Sequence, residues 1–134
     1  VHTLMRDVKM AEHLDVGEGY GQTKWNVRAI WENYAGWFHH RSTTELYGVP
    51  PSSIAPEVVA AAGADALAAA AQARLAAGEP VAALHLTDLV LAVESGHAGA
   101  RLVASEATRA LLDDTTNFWE SAWLRRALHR LERP

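Results

Sequence analysis

Hydrophobic positions along this chain recur at helical spacing, and the densest run lies between Gly19 and Phe38. At about 100° per residue, Val27, Ile30, Trp31, Tyr34, Trp37 and Phe38 fall in a stripe roughly 120° wide, the width of a helix with one buried face. The pattern therefore predicts that this stripe is core. Trp25 lies off it, on the far side with Ala29 and Gly36, where small side chains let another backbone come close. Arg28 and Glu32 stand at i, i+4 between the two faces and should pair. A helix packed on two sides is expected, with Thr23 as its cap and His39, His40 and Arg41 near its C-terminal carbonyls.

Punctuation residues divide the whole chain into about six helices with hardly a strand signal, so the expected class is all-α, a bundle of about six helices. Ser42-Thr43-Thr44-Glu45 has capping-box spacing and should start a short turn, and Tyr47 to Ser53 should cross the surface as a loop. Pro56 to Ala62 reads as a short helix stopped by Gly63. Asp65 is the expected cap of an alanine-rich helix from Ala66 to Ala77, which Gly78 ends. Pro80 opens a further helix to about Glu94, closed by Ser95-Gly96, and Ala98 to Leu112 forms another. Asn117-Phe118-Trp119-Glu120 is a second capping-box spacing and begins an amphipathic last helix. Between Ala66 and Leu112, small residues at Ala73, Ala82, Ala83, Ala100 and Ala107 alternate with leucines, in the manner of a tetratricopeptide-like helical hairpin. About one copy and a half is present, too little for a peptide-binding solenoid to stand alone.

Composition narrows the functional classes. With 134 residues, 49% of them hydrophobic, residues 1–134 are expected to form a single helical domain with a real core. No apolar run reaches the roughly 18 residues that span a bilayer, the first residues lack a signal-peptide layout, and no membrane partner is expected. Cysteine is absent, which removes disulfides and thiol chemistry and leaves a cytoplasmic location as the default expectation. The formal charge of −4 argues against nucleic acid. Arg125, Arg126, Arg130 and Arg133 form the best basic patch, but cations near a helix C-terminus are favoured by its dipole in any case.

The chemistry-bearing residues do not assemble into a catalytic apparatus. His2, His13, His39, His40, His85, His97 and His129 contain neither an H-x-H pair nor H-E-x-x-H. Asp113-Asp114 reads as a solvated turn. Gly17-Glu18-Gly19-Tyr20-Gly21 lacks the preceding strand and the lysine of a phosphate loop. No catalytic residue, metal ligand or cofactor is assigned to this segment.

The order of motifs is more specific than any one of them. Tyr20-Gly21, Trp25, Val27-Arg28-Ala29-Ile30, Tyr34 and Gly36-Trp37-Phe38 are followed by Leu46, Val49-Pro50, Ala62-Gly63, Asp65-Ala66-Leu67 and an alanine-rich helix into Gly78. From about Met10 to Leu131 this resembles the dimerisation domain of alkyl sulfatases, which are metallo-β-lactamase-fold hydrolases. Two departures stand out. Many relatives continue Gly-Trp-Phe with Asp-Gly-Asp-Pro where this chain has His39-His40-Arg41-Ser42, and the aromatic pattern near Trp119 and Trp123 differs.

The resemblance implies a homodimer, with a parent enzyme whose separate catalytic domain holds two zinc ions through H-x-H-x-D-H, a motif this chain does not contain. It implies a helical module, either cut from a larger hydrolase or encoded separately, that joins two copies and covers the catalytic cleft in cis or in trans. On that reading Tyr20, Trp25, Arg28, Ala29 and Gly36 are the interface or cleft-lining candidates. A tetratricopeptide-like protein-interaction module is the alternative expectation, and an independent small enzyme ranks last.

Overall fold

A computed structural model describes residues 2–133, with side chains from Met5 onward. Among the described residues there are seven α-helices and no strand, so the all-α class holds: α1 (His2–Asp7), α2 (Thr23–Ala35), α3 (Ala55–Ala62), α4 (Ala64–Ala76), α5 (Pro80–Val93), α6 (Ala98–Asp114) and α7 (Phe118–Glu132). One-turn 3-10 helices lie at Glu12–Leu14, Thr43–Leu46 and Pro51–Ile54. The chain divides into two compact units. One is drawn from Val1–Val49 and Thr116–Ser121, the other from Pro50–Thr115 and Ala122–Pro134.

The second unit owns nearly all of the core. Gly63, at φ +87°, ends α3 and turns the chain into α4 with a bend of 105°. Gly78, at φ +78°, closes α4 so that Pro80 can open α5, and a positive φ is where glycine carries no Cβ penalty. Ala71, Ala83, Val103 and Ala107 pack together under Leu75, Leu84 and Leu86, while Ala68, Val90 and Ala100 pack with Leu67 and Leu91. Alanines at these crossings bring helix axes close, and the close approach multiplies dispersion contacts that each alanine alone could not supply. Thr87 and Thr108 are buried with their hydroxyls donating to the carbonyls of Leu84 (3.0 Å) and Ala104 (2.6 Å), so no polar group is left unpaired there. Leu124 and Leu128 of α7 are buried in the same unit, and α7 is tied to α6 by Arg101 donating to the carbonyls of Leu131 and Arg133 and by an Arg109 to Glu132 ion pair.

Several local expectations need correction. The α4 helix starts at Ala64 with Gly63 as its N-cap, so Asp65 does not cap it. Its carboxylate faces His97 instead, with Oδ1 3.1 Å from Nε2, while His97 Nδ1 accepts the Ala100 N–H and caps α6. A histidine cap was not legible because histidine is uncommon at that position. Pro56 lies in the first turn of a helix that begins one residue earlier, at Ala55. Of the small residues expected to pack, Ala83, Ala100 and Ala107 are buried but Ala73 is exposed. The α4 and α5 helices do pack as neighbours across the short Ala77-Gly78-Glu79 turn.

The first unit is organised around α2 and the start of α7. The N-cap of α2 is Gln22, not Thr23, and its side chain makes no capping bond. The Glu18 carboxylate caps the helix from the preceding loop by accepting the Thr23 N–H at 2.6 Å. At the other end Gly36 adopts φ +77° and its N–H reaches the Glu32 carbonyl, which ends the helix before Trp37. Asn117 begins α7 as its spacing predicts, Oδ1 accepting the Glu120 N–H at 3.0 Å, while its Nδ2 donates to the carbonyls of Glu18 and Gly21. The Glu120 carboxylate accepts from Gln22 Nε2 at 2.6 Å, a bond across 98 residues of sequence.

Candidate functional site

The α2 stripe is not core. No residue of α2 is buried, and Ile30 and Tyr34 are 58% and 85% exposed. Trp37 and Phe38 leave the stripe because the helix stops at Gly36. The sequence pattern therefore identified an apolar face correctly and assigned it the wrong partner: periodicity reports that a face avoids water, not whether the cover comes from the same chain. Met5 of α1, itself buried, meets Val27, Ile30, Trp31 and Tyr34 in a shallow apolar groove of about 380 Å³.

On the adjacent flank of α2 lies a second cavity, of about 460 Å³. Its apolar lining is Met5 and Trp25, and its polar lining is basic: Arg6, Lys24, Arg28, Arg41 and His39. Arg28 pairs with Glu32 at 2.8 Å, as the i, i+4 spacing predicts, and Arg6 pairs with Asp7 at 3.0 Å. The loop after α2 brings His39 and Arg41 to the cavity because Glu45 fastens it, one carboxylate oxygen accepting the His39 N–H (2.8 Å) and the other the Arg41 N–H (3.2 Å). Glu45 is thus spent on the loop backbone rather than on a capping box with Ser42, whose hydroxyl accepts from Thr44.

Of the residues singled out in the sequence, Trp25 and Arg28 line this cavity together. Tyr20 does not join them. It is 76% exposed at the bend before α2, with its ring 5.5 Å from that of Phe118, which in turn meets Trp119 edge-on at 5.2 Å. Ala29 is exposed on α2, and Gly36 serves as the C-cap with open space where a Cβ would stand. Arg41 and Met5 escaped the sequence reading because nothing in their spacing ties them to Trp25. The loop closure and the packing of α1 on α2 do that.

Three carboxyl groups have displaced protonation equilibria: the hydrogen bond from Arg6 holds Asp7 below the ordinary aspartate range, and Glu18 and Asp88 are displaced in opposite directions. The Thr23 hydroxyl beside it, together with the Thr23 N–H that donates to it, holds the Glu18 carboxyl below the ordinary glutamate range. In the second unit, Asp88 shares a cavity of about 370 Å³ with Leu84, Leu91, Thr108, Trp123 and Arg130. Desolvation there raises its carboxyl above the ordinary aspartate range, partly offset by His85. Among the described residues no group of three or more His, Cys, Asp or Glu could hold a metal ion.

A family model for alkyl sulfatase dimerisation matches residues 6–132. The chain belongs to that family. Its fold matches two solved structures of a sec-alkyl sulfatase: the stereoselective inverting enzyme Pisa1 from Pseudomonas sp., with a TM-score of 0.82 and 24% identity over 99% of this chain, and a double mutant of PisA1, with a TM-score of 0.81 and 24% identity over 98%. At that identity the likeness establishes the fold. The chain spans 22% of the length of each of those structures. Among curated proteins none matches it.

Proposed function

We propose that this chain is a homodimerisation module of an alkyl sulfatase-like hydrolase of the metallo-β-lactamase fold, and that the aromatic face of α2 meets the twin chain. The observation that carries this reading is a helix with an apolar stripe and no buried residue. Large aromatics are the side chains that interface cores favour, each able to bury roughly 150–250 Å². Tyr34 and Ile30, with the open part of Trp31, supply part of the roughly 800 Å² per partner that a stable contact needs. The family match supports the dimerising role. On the other flank, Trp25 and Arg28 with Ala29, and Tyr20 and Gly36 at the helix ends, are the residues offered to the catalytic domain as part of its cleft wall. That domain would carry the zinc ions.

Sedimentation from about 1 to 100 µM tests the self-association, because a specific contact of this size lies in or below that affinity range. A dimer that Trp31→Ala with Tyr34→Ala dissociates is the expected result. A clean monomer across the range overturns the dimer reading, and a dimer indifferent to the double variant overturns the choice of face.

A further inference from the structure

The cavity on the Trp25 flank of α2 collects four fixed cations, Arg6, Lys24, Arg28 and Arg41. Arg28 and Arg6 have carboxylate partners, Glu32 and Asp7. The Lys24 ammonium and the Arg41 guanidinium also line the cavity, yet neither makes a hydrogen bond or ion pair with any described residue, and no carboxylate residue is among the lining. This happens in a chain whose formal charge is −4, so the cluster opposes the overall charge instead of following from it. Lys24 and Arg41, whose side chains have no acid paired to them among the described residues, repel their cationic neighbours, and an oxyanion that accepts from several of these groups removes the repulsion and adds charge-assisted hydrogen bonds.

The cavity is also placed by fixed structure. Glu45 pins the backbone of His39 and Arg41, Gly36 turns the loop back at φ +77°, and Met5 is buried at the base. Trp25 is 38% exposed, which leaves part of an indole surface open beside the cations. A volume of about 460 Å³ falls in the range of small-molecule sites.

We infer that this cavity binds a small organic oxyanion, its head between Lys24, Arg28 and Arg41 and its compact apolar body against Trp25 and Met5. A carboxylate, a sulfonate and a phosphate monoester share that chemistry. This inference does not depend on the dimerisation reading, because every lining residue comes from a single chain.

Titration calorimetry of the 134-residue chain with benzoate, benzenesulfonate and phenyl phosphate tests it and ranks the three heads. Benzyl alcohol and inorganic sulfate serve as the body alone and the head alone. At least one aromatic oxyanion should bind with a Kd of roughly 1 mM or tighter, and about tenfold more tightly than either control. Lys24→Met with Arg41→Gln should weaken binding about tenfold, whereas Arg125→Gln with Arg126→Gln, both exposed on α7, should not change it. Among the described residues neither the Lys24 ammonium nor the Arg41 guanidinium has a hydrogen-bond or ion-pair partner to orphan, so the melting temperature should hold, and each single variant gives a smaller loss in the same direction. Benzyl alcohol binding as well as benzoate, unchanged binding by the Lys24 and Arg41 variant, or no heat from any aromatic oxyanion up to roughly 20 mM would each overturn the assignment.

Discussion

The unit built on residues 50–115 and 122–134 hides small side chains, and the unit built on residues 1–49 and 116–121 displays large ones. In the former, Ala71, Ala83, Ala100 and Ala107 are fully removed from water. Among the described residues of the latter, Met5, Gln22 and Asn117 are buried, while Trp25, Trp31, Trp37 and Trp119 all remain more than a third exposed. Hydrophobicity by itself ranks these units the wrong way round, since tryptophan carries several times the apolar area of alanine. Geometry reverses the order: alanine helices approach closely enough to exclude water from one another, whereas one short α1 beside α2 cannot cover a face of large rings. A unit short of its own core is the one that gains most from a second chain.

Substitution of a buried alanine gives the largest expected effect. Ala83→Leu forces three extra carbon atoms into a fully buried crossing, and should cost about 1–3 kcal/mol or more, read as a fall in melting temperature. Trp31→Ala, the larger deletion, should change monomer stability by much less than the roughly 3–5 kcal/mol of a core tryptophan truncation, yet weaken self-association about tenfold or more in sedimentation. If Trp31→Ala unfolds the monomer as readily as Ala83→Leu, the contrast between the units fails. Trp25→Ala sharpens the same point. A loss near 3 kcal/mol would make it a core residue after all, and a small loss accompanied by weakened anion binding places its role in the basic cavity.

Asn117→Ala should have an intermediate effect, about 1 kcal/mol, because it removes an N-cap together with two bonds to the Glu18 and Gly21 carbonyls. Denaturant melts should show the loss. Protection of the amides near Gly21 and Thr23 should fall more than that of α4 or α5.

The smallest effects are those of pH, and their signs differ between the units. The folded-state carboxyl of Glu18 titrates below its ordinary range, so its contribution is present above the ordinary glutamate pKa and is lost as pH falls through the lower folded value. Glu18→Gln should flatten that acid-side loss, measured as α2 helicity against pH. Asp88 is the reverse case. Its raised carboxyl makes folding bind protons, so stability declines as pH rises from the ordinary aspartate pKa through the raised one. Asp88→Asn should therefore raise the melting temperature slightly at neutral pH and leave it unchanged well below the ordinary aspartate pKa.

Much of the architecture was present in the order of residues. Gly63, Gly78 and Pro80 mark helix ends because they act through local backbone sterics that no distant contact changes, and Asn117 caps α7 for the same reason. The apolar stripe of α2 was equally readable, as was the Arg28 to Glu32 pair, since both follow from helical periodicity. Tertiary structure decided what those local signals could not carry. Whether the stripe is covered depends on how much chain is available to cover it, and only the packing of α1 on α2 shows that Ile30 and Tyr34 stay in water. The union of Lys24 with Arg41, the bond from Gln22 to Glu120 and the pairing of Asp65 with His97 link residues far apart in sequence. Periodicity is a property of neighbours along one helix, and such meetings are set by where the chain returns in space.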